Sequence, residues 1–181
     1  MPSRTDLELV EAFRNGDLTG FNELVRRHQE RVYWVARRVM GKHDDAADVV
    51  QDVFVRMFKA LKGFRGDSEF STWLYRIAMN VSLNAVRAKR VKDFIRYDDT
   101  IESRSEELPD AELLRNEYQT VLERAIQRLP PKQKLVFIMR YYDEMPYEQM
   151  AKVLKKSVGG LKANYFHALK KVQQYVRKEM G

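Results

Sequence analysis

Five residues between positions 73 and 87 of this 181-residue chain combine chemistry and spacing in a way that points at a ligand. They are Trp73, Arg76, Asn80, Asn84 and Arg87, at steps of three and four. On a helix that spacing places them in one row. An indole stacks on an unpaired base, a carboxamide reads a base edge, and a guanidinium holds a phosphate. Together they suit a surface that meets opened DNA. A solvated amphipathic helix with Trp73 turned into the core has the same spacing, so the row needs support from the rest of the chain.

The helix that must carry the row shows an apolar stripe of Leu74, Ile77, Ala78, Val81 and Ala85. Ahead of it, Gly63, Gly66 and the polar run Asp67-Ser68-Glu69 predict a loop. Ser71 is placed to cap the helix by accepting a hydrogen bond in its first turn.

Composition narrows the partners. There are 33 Lys and Arg against 26 Asp and Glu, a formal charge of +7, while hydrophobic residues make up 44%. Such a chain folds, and its basic excess favours nucleic acid over anionic membranes or acidic proteins. The absence of cysteine excludes a disulfide framework, thiolate-bound zinc and thiol redox chemistry. His28, His43 and His167 are too scattered for a metal site. No apolar run approaches the roughly 18 residues of a membrane span, and Met-Pro-Ser-Arg-Thr-Asp lacks the apolar core of a signal peptide. The expectation is a cytoplasmic protein without membrane insertion. No nucleophile lies beside a base, and no lysine-bearing phosphate loop is present. No enzymatic activity, catalytic residue, metal or cofactor is therefore expected.

Taken in order, Leu7, Val10 and Phe13 predict a short helix that Asn15-Gly16 ends. Phe21, Leu24, Val25, His28, Val32, Val35, Ala36 and Val39 predict a long one reaching Gly41, with His28 as a hydrogen-bonded boundary residue. Asp44 is expected to cap a third helix with Val49, Val50, Val53, Phe54, Met57 and Leu61 inward. Its outer face carries Asp48, Gln51 and Asp52. Acids early in a helix suit its dipole. On a basic protein they would also repel DNA, so a function for them would be to dock a basic protein surface. Ala88 to Lys92 closes a first helical domain, residues 1–92.

Residues 93–112 hold eight acids against two bases and Pro109, the composition of a flexible acidic linker. A second helical domain, 113–181, follows. Leu114, Tyr118, Val121, Leu122, Ala125 and Leu129 predict a helix that Pro130-Pro131 stops. Leu135, Val136, Ile138, Met139 and Tyr142 predict another. Pro146 opens a short helix, Lys155-Lys156 turns, and Ser157 caps a last helix, the order of a helix-turn-helix. From Lys152 to Lys178 there are eight Lys or Arg, including Lys156 and Lys170, and no acid. That is the electrostatic footprint of DNA binding. The outward face is Gly159, Gly160, Lys162, Ala163, Asn164, Phe166 and His167. The glycines admit close approach of backbone amides to a phosphate. Asn164 suits adenine, and Lys162 a guanine or phosphate. The fold class is all-α: two small helical domains on a flexible acidic linker, the second containing a helix-turn-helix.

These residues resemble the small extracytoplasmic-function (ECF) sigma factors of bacterial RNA polymerase. The matching pieces are Asp44 to Phe54 (DDAADVVQDVF) and Phe64 to Asn80 (FRGDSEFSTWLYRIAMN), then Leu129 to Gln133 (LPPKQ) and Tyr147 to Ala151 (YEQMA). The resemblance covers nearly the whole chain apart from the linker. It implies two helical domains, sigma regions 2 and 4, and a role in transcription initiation, commonly in stress responses. Asp48, Gln51 and Asp52 then dock on the clamp helices of the largest subunit of core polymerase. Trp73, Arg76, Asn80, Asn84 and Arg87 read and melt the −10 element. The loop with Phe64, Arg65, Asp67 and Ser68 captures a flipped-out base of the non-template strand. Lys156, Ser157, Gly159, Gly160, Lys162, Ala163, Asn164, His167 and Lys170 belong to the −35 reader. Implied partners are core polymerase, through the clamp and the flap of the second-largest subunit, double- and single-stranded promoter DNA, and an anti-sigma factor. The linker would thread toward the basic active-site cleft. The family often carries threonine and arginines where this chain has Gly160, Asn164, His167 and Leu169, which leaves its −35 preference open. The competing reading is a free-standing regulator that binds duplex operators through the helix-turn-helix, its first domain sensing a ligand or dimerising.

Overall fold

The computed structural model describes residues 3–96 and 117–181, and among them every regular element is helical. Helix α1 (Asp6–Arg14) opens with a reciprocal cap. Thr5 Oγ1 accepts from the Glu8 amide at 3.3 Å, while the Thr5 amide donates to Glu8 Oε2 at 2.6 Å. Helix α2 (Leu18–Met40) begins at Asp17, whose carboxylate accepts from the Thr19 amide at 2.9 Å, and closes at Gly41 in the left-handed region. Near its start, a Cβ on Gly20 would stand 2.3 Å from the Leu9 carbonyl oxygen, so only glycine lets α2 cross α1 this closely. Helix α3 (His43–Ala60) and a short 3-10 turn (Leu61–Gly63) lead to the loop before α4 (Phe70–Arg96).

Two expected caps fall differently. The residue before α3 is Lys42, which makes no side-chain cap, and Asp44 lies inside the first turn with Asp45. There the two acids complement the positive end of the helix dipole rather than capping it. Likewise α4 starts at Phe70, one residue before Ser71, and the Trp73 amide bonds back to the Glu69 carbonyl at 3.0 Å. The first unit does not stop near Arg90 either. Helix α4 runs on through the basic stretch to Arg96, so the first residues assigned to the linker, 93–96, are helical. The linker from 97 onward, and Leu114, lie outside the described residues.

In the second half, α5 (Glu117–Gln127) gives way to α6 (Pro131–Tyr141), with Pro131 at the position where a missing amide hydrogen costs nothing. Helix α7 (Tyr147–Leu154) ends at Lys155, itself left-handed, and Ser157 Oγ caps α8 (Val158–Met180) by accepting from the Gly160 amide at 3.1 Å. Met150, Val153 and Leu161 are buried between α7 and α8, completing the helix-turn-helix.

One apolar core runs through both halves. Leu24, Met57, Leu74 and Met79 fill the first; Phe137, Ile138, Met139 and Leu161 fill the second, each at most 2% exposed. At about 2 kcal/mol for each fully buried side chain, these residues supply much of the favourable folding energy. Helices α2 and α4 also pack against α6, and α4 against α7. A flexible linker alone did not predict that contact.

Candidate nucleic-acid interface

The row on α4 is formed. Asn80, Asn84 and Arg87 are exposed, Arg76 is half-buried, and none is tied to another described residue by a hydrogen bond or ion pair. Trp73 differs from its neighbours. It is half-buried and packs its ring 5.0 Å from Phe64 and 5.6 Å from Phe70, centroid to centroid. Part of the indole is core, and the remainder is its only surface for stacking.

The loop ahead of α4 depends on the same aromatic cluster. Phe64 is 4% exposed, against Phe70 at 5.7 Å and Trp73, so its ring is not available to a base; this corrects its expected place among the contact residues. It anchors the loop. Arg65, Asp67 and Ser68 are exposed, and Gly66 at φ +77° supplies the left-handed turn that presents them. Arg14 on α1 braces the loop from outside, donating through Nε to the Lys62 carbonyl at 3.2 Å and through NH2 to the Phe64 carbonyl. Sequence reasoning missed Arg14, because nothing in a sequence pairs a residue of α1 with carbonyls fifty positions later. His28 meets expectation as a boundary histidine. Its Nε2 lies 2.9 Å from Asp6 Oδ2, and its ring packs 5.2 Å from Phe70.

On α3, Asp48, Gln51 and Asp52 are exposed and unpaired with any described residue, whereas Asp45 is taken by Lys89 of α4 at 2.6 Å. The fold therefore uses one acid and leaves the other three polar groups outward.

On the helix-turn-helix, Lys156, Ser157, Gly159, Gly160, Lys162, Ala163, His167 and Lys170 are exposed. Space around a Cβ at Gly159 is open, so no packing within the described chain requires glycine there. Asn164 is half-buried and donates through Nδ2 to the Gly160 carbonyl at 3.1 Å, so its amide must swing out to read a base. Phe166 stands 63% exposed beside His167. Behind this surface, α5, α6 and α8 enclose an apolar groove of about 240 Å³ lined by Tyr118, Leu122, Phe137, Tyr141, Leu169 and Val172.

Two ionisable groups are strongly perturbed, and both lie where the halves meet. Burial, reinforced by the Asp143 carboxylate, raises the Tyr75 phenol. Burial, with Arg90 and Lys89 nearby, pushes the Lys134 ammonium down to about 8. Among the described residues no group of three or more His, Asp or Glu is placed to hold a metal, and no helix is long and apolar enough to cross a membrane.

Residues 24–91 match the family described as Sigma-70 region 2, and residues 119–172 match Sigma-70, region 4. The ECF RNA polymerase sigma-E factor of Escherichia coli strain K12 is 34% identical over 187 residues, covering 96% of this chain and 97% of that protein. The sigma-E factor of Haemophilus influenzae is 31% identical over 185 residues, covering 97% of each. The chain belongs to the ECF group of sigma-70 RNA polymerase sigma factors. Among solved structures, the sigma factor RpoE in complex with the anti-sigma factor NepR from Bartonella quintana shares the fold. Its TM-score is 0.67 at 21% identity, over 87% of this chain and 96% of that one.

An ECF sigma factor directs promoter-specific transcription initiation with RNA polymerase and is a non-catalytic subunit of it. That membership removes the free-standing operator-binding regulator, since the first half is a region 2 rather than a sensor. It also gives the two exposed faces a shared context: one chain that must meet polymerase and DNA together.

Proposed function

We propose that region 2, residues 1–92, docks on core polymerase and opens the −10 element, while region 4, residues 113–181, reads the −35 element. The observation that carries this is the exposed run on α4, Arg76, Asn80, Asn84 and Arg87, beside a loop presenting Arg65, Asp67 and Ser68. Guanidiniums at the ends of the row hold phosphates, and amides between them meet base edges. Trp73 stacks against the end of the opened duplex with the face its neighbours leave free. The loop holds one extruded base. Asp48, Gln51 and Asp52 meet the clamp helices of the largest polymerase subunit, and the apolar groove behind the helix-turn-helix receives the flap of the second-largest. The linker lies toward the active-site cleft. Lys156, Ser157, Lys162 and Lys170 set region 4 on the DNA backbone, with Gly159, Gly160 and Ala163 letting the helix approach and Asn164 and His167 facing bases. An anti-sigma factor holds the chain inactive in the cytoplasm, as the complex of the Bartonella relative illustrates for that protein.

Permanganate reactivity of promoter thymines tests the opening step. Core polymerase with this chain should make −10 thymines reactive, and the double variant Arg76→Ala/Asn80→Ala should leave them protected while still forming holoenzyme. Equal reactivity with the variant would remove α4 from the reading.

A further inference from the structure

The two halves assigned to separate DNA elements are locked to each other in this structure. Asp143, in the turn between α6 and α7, accepts a hydrogen bond from the Tyr75 hydroxyl of α4 at 2.6 Å and another from Arg38 NH1 of α2 at 3.1 Å. The Arg38 guanidinium also lies 4.7 Å from the centre of the Tyr142 ring. The turn that offers Asp143 is itself held. Glu144 is left-handed at φ +49°, the Met145 amide bonds to the Met139 carbonyl at 3.1 Å, and Arg140 reaches the Met145 carbonyl at 3.3 Å.

A second contact caps the end of α2. The last carbonyls of a helix have no partner within it. Here the Arg38 carbonyl accepts from Gln127 Nε2 at 3.0 Å and the Val39 carbonyl from Lys134 Nζ at 3.3 Å, while Lys134 also donates to Gln127 Oε1 at 3.0 Å. Both donors come from the second half. Arg90 of α4 returns the favour to the Leu129 carbonyl. Tyr75 and Lys134 are each 3% exposed, so these are buried, charge-assisted contacts.

The arrangement conflicts with simultaneous promoter reading. Elements centred near −10 and −35 are some 25 base pairs apart, or about 85 Å along the helix axis. A compact chain of this length has a radius of gyration of about 16 Å and is roughly 40 Å across. Region 2 and region 4 cannot both reach their elements while Tyr75 touches Asp143. We propose that the Tyr75–Asp143–Arg38 contact, with Gln127 and Lys134 capping α2, is an intramolecular latch that keeps the free chain closed and opens on promoter engagement. This rests on the two-element reading above.

The cysteine-free chain makes the test direct. A double variant, Arg38→Cys/Asp143→Cys, is joined by a short cleavable bis-maleimide, mixed with core polymerase and a matched promoter, and assayed for run-off transcript before and after cleavage. Linked protein should yield at least about tenfold less transcript than the same sample after cleavage. Separately, Asp143→Ala should raise the radius of gyration measured by small-angle scattering and tighten core binding by roughly tenfold, as expected when a charge-assisted restraint on the closed state is lost. Linked protein as active as cleaved, or an Asp143→Ala chain with unchanged radius and affinity, overturns the latch. Wild-type and cleaved protein both silent on every promoter would instead overturn the two-element reading on which the latch depends.

Discussion

Arg14 NH2 on α1 donates to the backbone carbonyl of Phe64, so the first helix of the protein holds the loop that precedes α4. With Phe64 buried on one side and Arg14 outside, the exposed Arg65, Asp67 and Ser68 are presented on a braced backbone. A pre-ordered loop loses less conformational entropy when it closes on a base.

Arg14→Ala removes that brace without touching the DNA face. We expect about 1 kcal/mol of loop ordering to be lost, since the guanidinium is partly solvated, and open-complex formation to fall roughly fivefold. Core affinity should not change. Permanganate reactivity and core titration read the two quantities separately.

Charge reversal on α3 tests the docking face. Asp48→Lys/Asp52→Lys should abolish binding to core polymerase while circular dichroism shows an intact helical fold, because both side chains are exposed and unpaired among the described residues. Unchanged core affinity would remove the clamp assignment.

Region 4 should separate affinity from specificity. Lys156→Ala, lacking a phosphate contact, should weaken binding to all −35 sequences alike and reduce the salt slope by about one. Asn164→Ala should relax discrimination at a single base pair by about 1–3 kcal/mol. Binding measured across a −35 library at two salt concentrations distinguishes them.

Lys134 gives a pH signature. Its folded-state pKa of about 8 lies below the ordinary lysine value of 10.5, because burial disfavours the charged form. The folded chain therefore releases this proton before the unfolded chain does, and stability rises with pH between about 8 and 10, by up to about 1.4 kcal/mol per pH unit. The neutral amine still has two hydrogens for the Val39 carbonyl and Gln127. Above pH 10 the Tyr75 phenol, raised in the fold, works in the opposite direction, since the unfolded chain ionises its tyrosine first. Thermal melts from pH 7 to 10 should show the rise in the wild type and a flatter profile in Lys134→Met.

The helices were legible because their signals are local: Asn15-Gly16, Pro131 and Ser157 mark ends through backbone preferences that packing did not override. Asp44 and Ser71 misled by one or two residues, since a helix can start earlier when a backbone carbonyl such as that of Glu69 serves its first amides. The row on α4 was readable for the same reason of periodicity. Trp73 and Phe64 were less so, because spacing alone does not tell an aromatic aimed at a base from one closing a three-ring cluster. Asp143 carried no signal at all. Its partners Tyr75 and Arg38 lie in another half of the chain, and only the tertiary contact reveals that a turn acid and an apolar-side tyrosine form one unit.

Run-off transcription with mapped start sites, using core polymerase, this chain and a genomic promoter library, tests the central claim most directly. The account predicts discrete starts about ten base pairs downstream of one shared motif, with a second motif about 25 base pairs further upstream. Core polymerase that remains silent on every promoter, or initiates at the same sites without this chain, would contradict it.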